Sequence, residues 1–126
     1  MNHISLKHIS IHNNNLKTLL FLNKQQIGHS TLHIHKNVPI ITDIHIDNPY
    51  RKNGYGSFLL NSIENRIKGD RLYINTWYLD RCYFNYLSFY KKRGYNLCVF
   101  NEDRHIDDGV NIYYNLYVYK NVGSFE

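Results

Sequence analysis

The segment IITDIHIDNPYRKNGYGSFLL, residues 40–60, changes its pattern halfway along and so decides the fold. Ile40 to Ile46 reads as a β-strand. Asp47 to Gly56 is a polar loop that contains one proline and two glycines. Beyond it, apolar residues recur at helical spacing, namely Phe58, Leu59, Ile63 and Ile67. The segment therefore predicts a strand, a glycine-containing loop and a helix in direct succession.

The sequence on either side of this segment predicts further strands and one more helix. Three strands precede it, at residues 3–11, 16–22 and 27–35, with turns at 13–15, 23–26 and 37–39. The helix that follows the loop should end at residues 68–70. The remaining predicted elements are a strand at 72–76, a helix from Asp80 to about Lys92, and strands at 95–100 and 111–119. This order predicts an α/β (α+β) sheet with a central β-loop-α-β unit.

Length and composition indicate one globular domain over residues 1–126. Hydrophobic residues make up 43% and charged residues 20% of the chain, and no apolar run approaches membrane-spanning length. Two cysteines and no secretory signal predict reduced thiols and a cytoplasmic location. The formal charge of +5 favours anionic partners, although a small basic surplus also serves solubility alone. The absence of alanine and the abundance of Asn, Ile, Lys and Tyr indicate an A/T-rich coding genome, such as that of a virus, a phage or a low-GC bacterium.

The loop Arg51-Lys52-Asn53-Gly54-Tyr55-Gly56 has the chemistry of an anion site. Glycine lets the backbone approach an anion closely because no Cβ intervenes. The free N–H groups of the first helical turn point at the anion, and the helix dipole assists. The spacing matches neither a Walker loop nor a dinucleotide fingerprint, and a simple turn is the alternative interpretation.

Two motifs in this chain resemble those of the GNAT N-acetyltransferases. Arg51-x-x-Gly54-x-Gly56 resembles the family's acetyl-CoA signature, and Thr42 to Arg51 resembles its fourth strand and the entry to that loop. Phe89-Tyr90-x-x-x-Gly94-Tyr95 resembles the signature that follows the second core helix. The resemblance implies a mixed, mostly antiparallel central sheet with a β-loop-α-β-α core that binds acetyl-CoA. It also implies an acetyl-CoA-dependent N-acetyltransferase.

The resemblance further implies which residues contact acetyl-CoA. The pyrophosphate would lie on the amides of the loop, and the pantetheine would pair with the backbone of the fourth strand where it parts from the fifth. The implied cofactor-binding residues are Ile44, His45, Ile46, Arg51, Lys52, Asn53, Gly54, Tyr55, Gly56, Ser57 and Asn85.

The resemblance implies that Tyr90 donates a proton to the departing thiolate of CoA. A phenol suits that role because it is neutral at pH 7 and can donate a proton. The alternative is that Tyr90 packs in the core, since the chain has twelve tyrosines. Family members often carry an asparagine seven residues before this tyrosine. Here that position is Tyr83, and Asn85 lies nearby on a different face of the helix.

A second departure concerns the acceptor side. Most family members have two helices between the first and second strands, whereas only about three residues separate those strands here. The acceptor side should therefore be open. An open site suits a macromolecular amine, such as a protein lysine or the aminoacyl end of tRNA. It equally suits a partner subunit in a homodimer that supplies the missing wall, or a degenerate CoA-binding or interaction protein. A basic nucleic-acid-binding protein is a further alternative, with only interleaved Tyr and Lys/Arg in support.

In several family members a carboxylate on the fourth strand deprotonates the acceptor amine, and the resemblance implies that Asp43 either does so here or binds a cationic substrate. Asp43 is the carboxylate there, and a hairpin about residues 37–39 would pair it with His33 and pair Thr31 with His45. Asp43, His33 and His45, with His35, would then cluster on one face and include the base. A one-residue slip of register would destroy this cluster. Solvated strand histidines and a zinc site are the alternatives, and we expect no metal because such donors are common on surfaces.

Overall fold

In a computed structural model, the first half of the chain forms a four-stranded antiparallel meander. The structure describes residues 3–11, 14–67, 71–98, 104–107 and 111–122. The strands are β1 (Ile4–Ile11), β2 (Asn15–Leu22), β3 (Gln25–His35) and β4 (Val38–Ile46). Two of the hairpins turn through a pair of residues with positive φ, Asn23-Lys24 and Lys36-Asn37. Positive φ angles at both central residues are typical of type I′ turns, whose twist matches the twist of the flanking strands.

The second half alternates helices with strands and completes the same sheet. A short 3-10 helix (Asn48–Tyr50) leads to α1 (Tyr55–Glu64), β5 (Arg71–Leu79) and α2 (Asp80–Lys92), followed by β6 (Asn96–Leu97), β7 (Arg104–Asp107) and β8 (Asn111–Asn121). The strand order is β1-β2-β3-β4-β5-β8-β6, with β7 paired to β8. The pairing of β4 with β5 is parallel and the other pairings are antiparallel. The predicted fold class, a mixed and mostly antiparallel sheet, is confirmed.

Both helices pack on one face of the sheet, which we call the core face. Alternate strand residues, such as Leu20, Leu32, Ile41 and Ile74, form one buried cluster with the helices. The helices contribute Leu59, Leu60, Ile63 and Tyr90 to that cluster. The residues between them in each strand point to the opposite face, and none belongs to this cluster. We call that opposite face the open face, because no helix among the described residues lies on it.

The predicted register of the β3–β4 hairpin is wrong. The structure pairs His33 with Ile40 and Thr31 with Asp43, not His33 with Asp43. The cause is the two-residue turn at Lys36-Asn37, which lets the strands begin pairing at His35 and Val38. A bulge at Thr42 then shifts the pairing by one residue. This shift keeps Asp43 on the open face, which an uninterrupted ladder from the same turn would not do.

Three smaller differences separate the predicted elements from those observed. The helix after the loop ends at Glu64, and its predicted end signal at residues 68–70 lies outside the described residues. The predicted strand at 95–100 comprises Asn96–Leu97, with its last two positions outside the described residues. The strand β7 was not predicted. Both cysteines are free thiols. No helix among the described residues is long and apolar enough to span a bilayer.

Candidate active site

The loop between β4 and α1 places unpaired backbone amides at a helix N-terminus. Lys52 and Gly54 have positive φ angles of 64° and 84°, which turn the chain sharply into α1. The N–H of Phe58 donates to the carbonyl of Gly54 at 3.0 Å as the first bond of the helix. The three preceding amides, of Tyr55, Gly56 and Ser57, therefore have no carbonyl within α1 to bind. No side chain caps this end of the helix, so the amides are available to an anion.

Gly54 fits this loop for two reasons. Its φ lies in the left-handed region that other residues seldom adopt. A Cβ built on Gly54 would have no atom within 4 Å, so the space beside the glycine is open to a ligand. At Gly56, a Cβ would lie 3.7 Å from the Phe89 ring, an ordinary contact. The side chains of Arg51, Lys52 and Asn53 are exposed around this open space.

Arg93 brings a further cation to the same helix end. Its Nε donates to the Ser57 Oγ at 2.7 Å, and its Nη2 donates to the same oxygen. The guanidinium also lies 3.6 Å from the centre of the Phe89 ring, and its Nη1 donates to the Phe89 carbonyl at 2.9 Å. The sequence analysis did not identify Arg93. The available signal was its position inside the second motif, one residue before Gly94.

Beyond the loop, β4 and β5 part from each other and leave a gap in the sheet. They pair only at Ile40 with Tyr73 and Ile41 with Ile74. The later part of β4, with Ile44 and Ile46, therefore has no ladder to β5, and its backbone groups on that side are open to a ligand. The Arg51 Nε donates to the Ile46 carbonyl at 2.8 Å and occupies one of these groups.

Thr76 and a pair of phenols line the gap on the core face. Thr76 lies on β5 past its last pairing with β4, and its buried Oγ1 has no hydrogen-bond partner among the residues that the structure describes. The hydroxyls of Tyr78 and Tyr90 lie 3.1 Å apart. Tyr90 is only 1% exposed, and the ring of Tyr78 stacks on Tyr86 with centroids 3.9 Å apart. Tyr78 was not identified from the sequence, although its alternation along β5 places it two residues beyond Thr76.

Burial governs the ionisation of these phenols. It raises the pKa of Tyr90 well above that of an ordinary phenol, and the neighbouring Tyr78 adds to the shift. Burial also raises the pKa of Tyr78. Both side chains are therefore neutral hydrogen-bond donors throughout the physiological pH range.

On the open face, the structure pairs Asp43 with a histidine that the sequence analysis missed. The His29 Nε2 lies 2.7 Å from the Asp43 Oδ2, and the ring centroids of His29 and His45 are 5.4 Å apart. The His45 Nε2 in turn lies 3.2 Å from the Asp47 Oδ1. In the observed register Asp43 lies opposite Thr31 and His29 lies opposite His45, so His29 reaches Asp43 as a diagonal neighbour on the same face. No group of three or more potential metal ligands is found in the described part of the chain.

Two predicted site residues lie away from the others. The His33 Nδ1 lies 2.5 Å from the Asn15 Oδ1, and its ring stacks on His35 with centroids 6.0 Å apart. The structure therefore does not bring His33 to Asp43. Asn85 is exposed on the outer side of α2, next to the exposed Phe84, whereas Tyr90 of the same helix is buried. The roles predicted for His33 and Asn85 have no support from these contacts and stay predictions.

Comparison with known proteins relates this arrangement to one family. The family model described as the acetyltransferase (GNAT) family matches residues 4–95. This range contains the loop, both helices and all the side chains described above at the gap. No curated protein matches the sequence of this chain significantly.

Solved structures with similar folds span nearly the whole chain at low sequence identity. The IAA acetyltransferase from Bacillus cereus ATCC 14579 is 16% identical, with a TM-score of 0.72 over 94% of this chain and 99% of that protein. A GNAT family acetyltransferase from Elizabethkingia anophelis with acetyl-CoA bound is 14% identical, with a TM-score of 0.73 over 94% and 98%. The ribosomal-protein-S18-alanine N-acetyltransferase from Escherichia coli is 13% identical, with a TM-score of 0.75 over 100% and 97%. These similarities establish a shared fold.

Proposed function

This chain belongs to the acetyltransferase (GNAT) family, and from that premise we propose that it transfers an acetyl group from acetyl-CoA to a primary amine, as a single domain over residues 1–126. One observation carries the proposal. The gap between β4 and β5 has a helix end with unpaired amides on one side and the hydroxyls of Tyr78 and the buried Tyr90 on the other, and an Asp-His pair lies on β3 and β4 beside it.

The residues around the gap fit acetyl-CoA chemically. The amides of Tyr55, Gly56 and Ser57 would hold the pyrophosphate, with Arg51 and Lys52 adding charge. The unpaired backbone of β4 and the buried Thr76 hydroxyl would bind the amide groups of the pantetheine arm. Acetyl-CoA, when bound, supplies an acetyl group activated as a thioester.

Tyr90 would stabilise the negative charge that develops on the departing sulfur. A thiol ionises near pH 8.5, and burial keeps the pKa of Tyr90 well above that of a free phenol. Full proton transfer to the sulfur is therefore uphill, and the phenol acts mainly as a hydrogen-bond donor whose proton is always in place. Tyr78, at 3.1 Å from Tyr90, would hold the Tyr90 hydroxyl and can donate in its stead.

His29 would be the base that accepts the proton of the acceptor amine. Asp43 binds its Nε2, which leaves the Nδ1 as the other ring nitrogen for the proton. A carboxylate that orients the imidazole also stabilises the imidazolium once it forms. His45, beside His29, has the same arrangement with Asp47 and is the second candidate.

The acceptor would be a macromolecular amine, such as a protein lysine or the aminoacyl end of tRNA. Only residues 12–14 separate β1 from β2, and no helix among the described residues forms a wall above His29 and Asp43. A small amine would be buried little there and would bind weakly. A macromolecule can add contacts beyond the site, and the net positive charge would attract an acidic one. A homodimer that closes the site is the competing arrangement.

The test compares acceptors at a fixed, saturating concentration of acetyl-CoA. Release of free thiol and the mass of the acceptor are followed for polyamines, lysine peptides and charged tRNA, with the mass of the protein measured in solution. We expect slow turnover of free amines and faster turnover of a macromolecular acceptor by a monomer. Efficient turnover of one small amine by a monomer would refute the open acceptor site. Acetyl-CoA binding without turnover of any acceptor would identify a CoA-binding protein instead of an enzyme.

A further inference from the structure

The open face carries four aromatic rings on β5 and β8. Tyr73 lies with its ring centroid 5.8 Å from that of Tyr117 and 6.0 Å from that of Tyr119. Trp77, two positions beyond Asn75 on the same face, is 49% exposed. None of these four rings belongs to the buried cluster of the core. Rings of this size on an uncovered sheet face are a platform for stacking flat ligands.

Three cations also lie on this face. Strand alternation and register place Lys7, Lys17 and Arg71 on it. The guanidinium carbon of Arg71 lies 4.6 Å from the centre of the Tyr119 ring. The carboxylates of Asp43 and Asp47 also lie at this face, and each contacts a histidine, His29 and His45 respectively.

The charge of the face selects among the occupants that could cover it. A second copy of the chain would set Lys7, Lys17 and Arg71 of one face against the same cations of the other, which is unfavourable. An acidic protein surface would match the cations, but it does not bring a row of flat rings to stack on the platform. A single-stranded nucleic acid has both phosphates for the cations and flat bases for the rings.

We propose that the open face binds single-stranded nucleic acid, with bases stacked on Trp77 and the tyrosines of β5 and β8 and phosphates near Lys7, Lys17 and Arg71. Stacking on such a platform tolerates any base, so little sequence preference is expected. This binding goes beyond the proposed acetyl transfer and does not rest on it. The two sites are nonetheless adjacent, because Trp77 faces the open side while its neighbour Tyr78 points to Tyr90.

Trp77 is the only tryptophan of the chain and provides a direct probe of this face. Twelve-nucleotide oligouridylate and oligoadenylate RNAs are titrated into the full chain, and tryptophan fluorescence is followed at two salt concentrations. We expect quenching by both RNAs and weaker binding at higher salt. Polyglutamate of similar charge should bind without quenching, since it cannot stack on the indole.

Variants separate stacking from charge, with the anisotropy of a labelled RNA as the measurement. Replacing Trp77 and Tyr117 by leucine keeps apolar strand residues and should weaken binding by roughly tenfold or more. Lys7→Gln with Lys17→Gln should reduce the magnitude of the slope of log affinity against log salt by about 1.4. Phe84→Leu is the matched control, because Phe84 is 75% exposed but lies on α2, away from the open face. It should leave RNA affinity unchanged.

Three results would overturn the proposal. The first is the absence of RNA binding or of quenching. The second is equal binding of RNA by the wild type and the Trp77/Tyr117 variant. The third is a dimer in solution in which Trp77 is shielded from a soluble quencher, since a second copy would then cover the face. Acetyl-CoA affinity is measured in every variant, so that a failure here is distinct from a failure of the proposed transferase.

Discussion

The loop before α1 and the open face beside it form two sides of one candidate site, but they are built by different kinds of contact. In the loop, residues 51–57 act through their own backbone, with a positive φ at Gly54 and amides that α1 leaves unpaired. On the open face, His29 and Asp43 meet across two strands only because of a turn and a bulge. A local site tolerates changes elsewhere in the sheet, whereas a site assembled by register is lost with the register. The predictions below test this contrast.

The largest effect is expected at Gly54. Gly54→Glu places a side chain and a negative charge in the open space beside the loop amides, and acetyl-CoA binding should become undetectable by calorimetry. Gly54→Asn is the matched control, since asparagine tolerates positive φ and carries no charge. It should bind more weakly than the wild type but measurably. Wild-type affinity in a folded Gly54→Glu protein would remove the loop from the cofactor site.

A smaller effect is expected from the phenol pair. Tyr90→Phe should leave the Kd of acetyl-CoA nearly unchanged and lower kcat by about one to two orders of magnitude. This loss lies at or below the low end of the range usual for removal of a catalytic acid, because Tyr78 or water can donate the hydrogen bond instead. Tyr78→Phe should have a lesser effect, since Tyr90 remains. Full activity in Tyr90→Phe would show that Tyr90 only packs against the cofactor groove.

The histidines of β3 test the register directly. His29→Gln should lower kcat/KM by about tenfold to a hundredfold, below the typical maximum for a general base because Asp43 is half exposed and water can replace the imidazole. His33→Gln should change it by less than about twofold, because His33 contacts Asn15 and His35 instead of Asp43. The reverse order of these two effects would favour the register expected from the sequence over the observed one.

The contrast between the two regions also explains which features could be predicted from the sequence and which could not. The loop, the helix after it and Tyr90 follow from consecutive residues and from two motifs, so their positions could be predicted. The pairing of His33 with Asp43 was wrong because the turn and the bulge at Thr42 shift the register, and no short-range pattern marked that bulge. Tyr78 and Arg93 contact Tyr90 and Ser57 across 12 and 36 residues, contacts that alternation and spacing alone do not reveal.

The smallest effect is expected at Tyr95, in the second motif but away from the gap. Its hydroxyl donates to the Glu64 Oε2 at 2.6 Å, so Tyr95→Phe should lower the free energy of unfolding by about 1–2 kcal/mol at pH 7. Burial and Glu64 raise the pKa of Tyr95. The native state therefore keeps this proton above pH 10 while the unfolded state loses it. The difference in stability between wild type and variant should be constant below about pH 10 and shrink above it.

Urea unfolding between pH 7 and 11 measures this difference, with acetyl-CoA affinity as the control that should stay unchanged. A difference that grew above pH 10 would contradict the assigned direction of the pKa shift. An equal stability of the two proteins at pH 7 would show that the hydrogen bond to Glu64 contributes nothing net.

The proposed position of acetyl-CoA is along the loop and in the gap between β4 and β5. Residue-resolved amide chemical shifts during titration with acetyl-CoA would locate the cofactor. We expect the largest changes at the amides of residues 54–58 and 44–46 and around Tyr90, with little change at His33, His35 or β1. Changes confined to the open face, or saturable binding without any change at residues 54–58, would contradict it.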